Sequence, residues 1–208
     1  MVEPPFSLSA RDLRASRGGR DIFEGVSFVL APGEAILLRG ANGAGKTTLL
    51  RAVAGLLRPA GGAVEFCRDT EEPTENAAIY CGVQNGLKAA LSVRENLDFW
   101  VSLYGAEKKA ANDAINRFEL RGFIDRRAGA LSTGQARRAG LARLVIAQCP
   151  VWLVDEPVAA MDRDGVARFI QLVVDHLGCG GSAIIASHDA LDIPGARTMT
   201  MSAKAAAP

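Results

Sequence analysis

The segment Gly40-Ala41-Asn42-Gly43-Ala44-Gly45-Lys46-Thr47-Thr48 constrains this chain more than any other. It satisfies G-x-x-x-x-G-K-[ST], a loop whose glycines let the backbone curl until several N–H groups face one point. The apolar run Ala35-Ile36-Leu37-Leu38 precedes it and reads as a buried strand, and Leu49–Leu57 follows as a helix. That context sets the positive end of a helix dipole against a phosphate. Lys46 is expected to reach the β- and γ-phosphates of a nucleotide, and the Thr47 hydroxyl to hold Mg²⁺. Gly40, Asn42, Gly43, Ala44, Gly45 and Thr48 complete the cradle.

The 208 residues suit one domain carrying an inserted part. Lysine and arginine (24) nearly balance aspartate and glutamate (23). No strong field for nucleic acid arises, and no nucleic-acid partner is expected. No apolar run approaches the roughly 18 residues that span a bilayer. Met1–Pro5 has neither a basic n-region nor an apolar h-region, so no secretory signal is expected and the chain is expected to stay cytosolic. Cys67, Cys81, Cys149 and Cys179 are far apart, with no C-x-x-C, and read as scattered core thiols rather than a zinc site. The tail Ser202–Pro208 reads as frayed.

Taken in order, Phe6–Leu13 and Val26–Leu30 read as strands around an Arg17–Arg20 turn, and Ala63–Phe66 as a short strand. Arg68–Asn76 is charged, carries Pro73 and reads as loop; Ala77–Val83 is strand-like. From Leu91 to Gln148 the pattern turns helical, opening on a Ser92/Glu95 capping box. Ala106–Phe118 and the short Leu120–Arg127 follow, then a helix bearing Arg137, Arg138 and Arg143. Val151–Pro157 is an apolar run ending in two carboxylates, Asp155 and Glu156. Asp162–Leu177 is amphipathic, with Val166, Phe169, Ile170, Val173, Val174 and Leu177 on one stripe. Ala183–Ala186 is a strand ending at Ser187-His188-Asp189.

Strands alternating with crossover helices imply an α/β fold with a mostly parallel sheet flanked by helices. Ligands of such sheets sit at the carboxyl ends of the strands. Lys46, Asp155 and His188 all fall just past strand ends and can share one crevice. Thr47 and Asp155 can supply a Mg²⁺ shell, and Glu156 is placed to orient or deprotonate a water. Strand alternation is expected to turn Glu156 away from Asp155. His176 reads as a complement to a helix C-terminus. The Arg137, Arg138 and Arg143 cluster reads as a solvated helix face. Gln84 alone is unremarkable.

In order, these motifs resemble those of ABC transporter ATP-binding subunits over nearly the whole chain. Gly40–Thr48 is similar to Walker A, Gln84 to the Q-loop and Leu131-Ser132-Thr133-Gly134-Gln135 to the signature, with Thr133 where glycine is usual. Val151–Glu156 resembles Walker B with its catalytic glutamate, Ala159–Asp162 the D-loop and His188 the switch histidine. The resemblance implies a single P-loop NTPase domain with an N-terminal antiparallel β part. Its catalytic core would be 1–84 and 149–208, with an inserted helical subdomain over 85–148. It also implies ATP and Mg²⁺ as cofactors, with Glu156, His188 and Gln84 in catalysis and Thr47, Gln84 and Asp155 at the metal. A head-to-tail, ATP-dependent homodimer is implied, in which Ser132, Gly134, Gln135 and Asp162 of one copy meet the nucleotide on Lys46 of the other. Arg17 falls where the family stacks an aromatic on adenine, and a guanidinium can stack on a base too.

A narrower resemblance lies in Val83–Lys88, Leu91–Leu97, Leu131–Leu144 and the short end after His188. These are similar to the cytochrome c maturation ATPase of bacteria. That resemblance implies a peripheral protein on the cytoplasmic face of the inner membrane, joined to integral permease subunits. Its hydrolysis would power haem export or release of a haem-loaded chaperone. Another ABC transporter, or a soluble ABC ATPase, is the alternative.

Overall fold

The computed structural model describes residues 6–18, 20–68 and 77–202. Phe6–Arg17 (β1) and Arg20–Leu30 (β2) form a hairpin, and Ala35–Arg39 (β3) leads into Lys46–Val53 (α1). Gly61–Arg68 (β4) and Ala78–Cys81 (β5) follow. Three helices come next, Val93–Tyr104 (α2), Lys108–Arg117 (α3) and Thr133–Ala147 (α4). Val151–Asp155 (β6), Arg163–Gly178 (α5), Ser182–Ala186 (β7) and Arg197–Thr200 (β8) complete the chain.

Five strands pair in parallel in the order β5-β6-β7-β3-β8. The strand period of two splits their side chains between two cores. Ala35, Leu37, Trp152, Val154, Ala183 and Ile185 face α2, α3, α4 and α5. Ile36, Leu38, Val151, Leu153, Ile184 and Ala186 face α1 and an antiparallel sheet of order β2-β1-β4. With both faces covered, the central strands must be apolar at every position, which is why they read as unbroken runs. The Ser92/Glu95 box caps α2 as expected: Ser92 Oγ accepts from Glu95 N–H, and the Glu95 carboxylate accepts from Ser92 N–H.

Some expectations are corrected. β8 carries no strand signal in the sequence. It is an edge strand of four residues, mostly exposed, held in place by pairing with β3 rather than by an apolar pattern of its own. Leu120–Arg127 contains only the 3₁₀ turn Arg121–Phe123. On α5 the buried stripe runs through Phe169, Leu172 and Val173, so Leu172 joins the core. Val174 is half-buried. Cys81 and Cys149 are buried as expected, while Cys67 and Cys179 are exposed. The expectations for Met1–Pro5, for most of the Arg68–Asn76 loop and for the last six residues lie outside the described residues.

His176 is not a cation at a helix end. Its ring stacks on Trp152 with centroids 3.7 Å apart, and Nε2 lies 3.1 Å from the Pro150 carbonyl oxygen. A ring nitrogen facing a carbonyl donates, so Nε2 carries the proton. Burial pushes the His176 pKa down from 6.5 to about 4. The unfolded chain therefore binds this proton more tightly than the folded one. Its contribution to stability is full above pH 6.5 and is lost as pH falls toward 4. Urea unfolding should show about 2–3 kcal/mol of stability lost from this group between pH 7.5 and 4.5. His176→Phe, which keeps a ring against Trp152, should remove that part of the pH dependence; an unchanged profile would contradict it.

Candidate functional site: a phosphate loop with a paired carboxylate site

The phosphate loop joins β3 to α1, and Gly40 and Gly45 have φ of +143° and +95°. A Cβ on Gly40 would lie 2.3 Å from the Met201 carbonyl oxygen, and one on Gly45 would lie 2.8 Å from Ile22 Cγ2. Both the backbone and the space therefore demand glycine at these two positions. Lys46 opens α1 and is buried, with Nζ donating to the carbonyls of Gly40 (2.7 Å) and Ala41 (3.2 Å). The first N–H groups of α1 lack carbonyl partners within the helix, which suits them to an anion.

One turn into the site, Thr47 Oγ1 donates to Asp155 Oδ2 at 2.6 Å. Tyr80 Oη approaches the same oxygen at 3.5 Å. Asp155 is 1% exposed at the end of β6. Thr47, Asp155, Gln84, Tyr80, Arg51 and Arg143 line one cleft of 740 Å³. A hydroxyl and one carboxylate beside a phosphate cradle form a hard-oxygen donor set of the kind Mg²⁺ takes, since it completes its shell with water and phosphate oxygens. Among the described residues no cluster of three His, Cys, Asp or Glu side chains offers an all-protein metal cage.

Glu156 is turned away from Asp155 by a different device from the one expected. The chain leaves β6 with Glu156 in the left-handed region, φ +48°, so a backbone turn rather than strand alternation separates the two carboxylates. Glu156 N–H donates to the Ala186 carbonyl at 2.8 Å, tying the turn to the end of β7. Glu156 Oε2 accepts from His188 N–H (3.2 Å), and Oε1 lies 3.3 Å from His188 Nε2. Arg39, which sequence reasoning passed over, donates from Nη1 to the carbonyls of Ser187 (2.7 Å) and Asp189 and so brackets His188.

The Ser132–Gln135 turn is a second capping box, at the head of α4. Ser132 Oγ accepts from Gln135 N–H (3.2 Å), and Gln135 Oε1 accepts from Ser132 N–H (3.1 Å). Gly134 leaves no room for a Cβ, which would meet the Ala160 carbonyl oxygen at 2.7 Å. Asp162 caps α5 by accepting from Gly165 N–H at 2.8 Å. Ser132, Gly134, Gln135 and Asp162 lie outside the cleft that holds Thr47 and Asp155. Arg17 is exposed at the end of β1.

Arg137 does not lie on a solvated face. It is 4% exposed, and burial lowers its pKa. Nε donates to the Pro157 carbonyl (3.1 Å), Nη2 to those of Asp155 (2.5 Å) and Glu156 (2.9 Å), and Nη1 to Gly82 (2.7 Å) and to Asn85 Oδ1 (3.2 Å). A signal was available. Ala139, Gly140, Leu141, Ala142 and Leu144 bury α4 on several sides, so a charge near its start must find partners indoors. Arg138 and Arg143 are half-buried instead, over the rings of Phe123 and Trp100.

Residues 23–159 match the family model described as ABC transporter. The ATP-binding cassette MJ0796, solved as a dimer in a post-hydrolysis state bound to ADP and phosphate, superposes with a TM-score of 0.81. The match covers 95% of this chain and 97% of that one, at 20% identity. The cbiO1 subunit from Clostridium perfringens gives 0.70 at 25% identity, over 91% of this chain and 81% of its own. Fold and site thus define an ABC-type ATPase, an enzyme that binds and hydrolyses ATP. Among curated relatives is the cytochrome c biogenesis ATP-binding export protein CcmA of Ruegeria pomeroyi, 48% identical over 88% of this chain and 85% of its own. The protein of the same name from Paracoccus denitrificans is 47% identical over 93% and 88%. The chain belongs to the ABC transporter ATP-binding family and, within it, to the CcmA type.

Proposed function

We propose that this chain is the ATP-hydrolysing, energy-coupling subunit of a membrane ABC complex in cytochrome c biogenesis. Hydrolysis there would drive haem export or release of a haem-loaded chaperone. The observation that carries the reading is identity of 42–48% to proteins of that name, spread over most of the chain rather than confined to the nucleotide motifs.

Chemically, Lys46 and the head of α1 bind the β- and γ-phosphates, and Arg17 packs on the base. Mg²⁺, held by Thr47 Oγ1 and Asp155 with Gln84 beside them, would neutralise phosphate charge. Glu156 takes a proton from water as the water oxygen bonds the γ-phosphorus. The bond from that phosphorus to the bridging oxygen breaks, giving ADP and phosphate. His188 holds the Glu156 carboxylate on target. Ser132, Gly134, Gln135 and Asp162 meet the nucleotide of a second copy, so ATP closes a head-to-tail homodimer by contacts made only in the closed state. The domain divides into a core of 1–84 and 149–208 and a helical part over 85–148.

No helix among the described residues is long and apolar enough to cross a membrane, so attachment to the cytoplasmic face of the inner membrane falls to a permease partner. The cleft beside Gln84 suits it. Leu56 and Val83 line that cleft and are 65% and 61% exposed, large apolar side chains that a cytoplasmic segment of the permease would cover. Leu56→Asp with Val83→Asp should release the chain from membranes while ATP affinity stays within about threefold. Retention of the double variant on membranes would move the docking site elsewhere.

The deciding experiment is a pull-down of the tagged chain from solubilised native membranes, with mass spectrometry. Recovery of a polytopic subunit together with cytochrome c maturation proteins supports the reading. A different permease removes the haem role and keeps the transporter; a soluble complex without membrane protein removes both.

A further inference from the structure

Arg137 is a buried cation bound almost wholly by carbonyl oxygens. Its five hydrogen bonds reach two segments remote in sequence. Three go to consecutive carbonyls, Asp155, Glu156 and Pro157, which are the turn that carries the two carboxylates. Two go to Gly82 and Asn85, which flank Gln84. Among the described residues no carboxylate forms an ion pair with it, although neutralising a buried guanidinium is the usual use of a carboxylate. Here four acceptors are backbone carbonyls, each bond to which fixes the orientation of a peptide plane, and the fifth is the Asn85 side-chain amide.

The peptide planes so fixed are the ones the site depends on. Glu156 sits in the left-handed region at φ +48°, a conformation that costs a residue with a Cβ about 1 kcal/mol or more unless its surroundings hold it. Arg137 Nη2 grips the carbonyls on either side of that torsion, and the Glu156 N–H is held by Ala186 O from β7. Packing near the site is equally tight. A Cβ on Gly140 would lie 2.7 Å from Asn85 Cβ, so α4 rests directly on the segment after Gln84. One turn before Arg137, the same helix begins at Ser132–Gln135.

We infer that Arg137 is a positioning residue for hydrolysis: its guanidinium locks the Glu156 turn and the Gly82–Asn85 segment to the first turns of α4, so that movement of the signature turn is felt at the carboxylate that activates water. The inference rests on Glu156 being the hydrolytic base. It assigns to Arg137 no contact with nucleotide.

The test compares the full chain with Arg137→Lys and Arg137→Met, with Glu156→Gln measured in parallel. Arg137→Met should lower kcat by about tenfold or more while the KM for ATP stays within about threefold, because aim is lost and the phosphate cradle is not. Lysine keeps the charge but lacks the planar fork, so Arg137→Lys should recover only part of that loss. Amide hydrogen exchange supplies a readout independent of turnover. Peptides spanning 155–161 and 82–87 should exchange faster in Arg137→Lys, while β3 and α1 keep wild-type protection. If Arg137→Met does not fold, the lysine variant alone decides between these outcomes. Wild-type kcat and local exchange in Arg137→Lys, with Glu156→Gln inactive, would overturn the inference and leave the catalytic reading standing. An active Glu156→Gln would instead remove the base on which the inference rests. A uniform loss of protection across the fold would make Arg137 a stability residue only, and also overturns it.

Discussion

Glu156→Gln should reduce ATP turnover by at least about 100-fold and leave nucleotide affinity within about threefold. The substitution keeps the side chain's length and the backbone's left-handed turn. The amide oxygen of glutamine can still accept from His188 N–H, the bond that Glu156 Oε2 makes at 3.2 Å. What disappears is the one group in this position able to accept a proton from water. Nothing in the phosphate loop changes, since Lys46 bonds to Gly40 and Ala41 carbonyls and Thr47 to Asp155. With binding intact and hydrolysis stopped, ATP-bound dimer should accumulate. Gel filtration should show a shift to twice the monomer mass with ATP and none with ADP, beside a flat phosphate-release trace. A variant that stays monomeric with ATP and turns over at the wild-type rate would remove Glu156 from its role.

The parts of this fold that sequence reveals are those whose structure is decided locally or by simple burial. β3, β6 and β7 lie in the middle of a sheet covered on both faces, and their unbroken apolar runs follow from that position alone. The Ser92/Glu95 box is legible because both halves of the cap lie within one turn. Ser132 and Gln135 carry the same chemical signal, serine with glutamine three residues on, at the head of the arginine-bearing helix. β8 is invisible from its own residues, because its partner β3 lies far away in sequence and supplies the reason for it to be a strand.

The site divides in the same way. Lys46, Thr47 and Asp155 are legible because loop geometry and strand ends determine where they point. Glu156 is held on His188 and Asp155 on Thr47, by a backbone turn that strand alternation does not foresee. A positive φ on a glutamate has no signature in sequence, and it survives here because Ala186, His188 and Arg137 hold it from three sides. In sequence, Arg137 reads as part of a solvated helix face and His176 as the complement of a helix C-terminus. A charged or titratable side chain is usually exposed, and that rule fails when tertiary packing delivers several carbonyl oxygens to one place. The carbonyls of Gly82, Asp155, Glu156 and Pro157 around Arg137, and of Pro150 and Ser182 around His176, are acceptors that no sequence pattern marks.

Lys46→Ala is expected to weaken ATP binding by about 100-fold and to abolish turnover at ordinary ATP concentrations. Charge-assisted hydrogen bonds to phosphate contribute about 1.5–3 kcal/mol each, and Lys46 is placed to make them at the head of α1. Losing roughly 3 kcal/mol of binding corresponds to about two orders of magnitude in Kd. The fold itself should tolerate the change. Alanine is the strongest helix former, and the hydrogen bonds lost are the two to the Gly40 and Ala41 carbonyls. Thermal unfolding therefore separates the two effects. Added Mg-ATP should raise the Tm of the wild type and of Glu156→Gln, and should leave that of Lys46→Ala nearly where it was. Lys46→Arg should behave like the alanine variant. A planar fork does not reproduce the compact ammonium that Nζ places against the Gly40 and Ala41 carbonyls. Equal ligand-induced shifts in wild type and Lys46→Ala would mean that the phosphates are held elsewhere, and the assignment of the loop would fall with them.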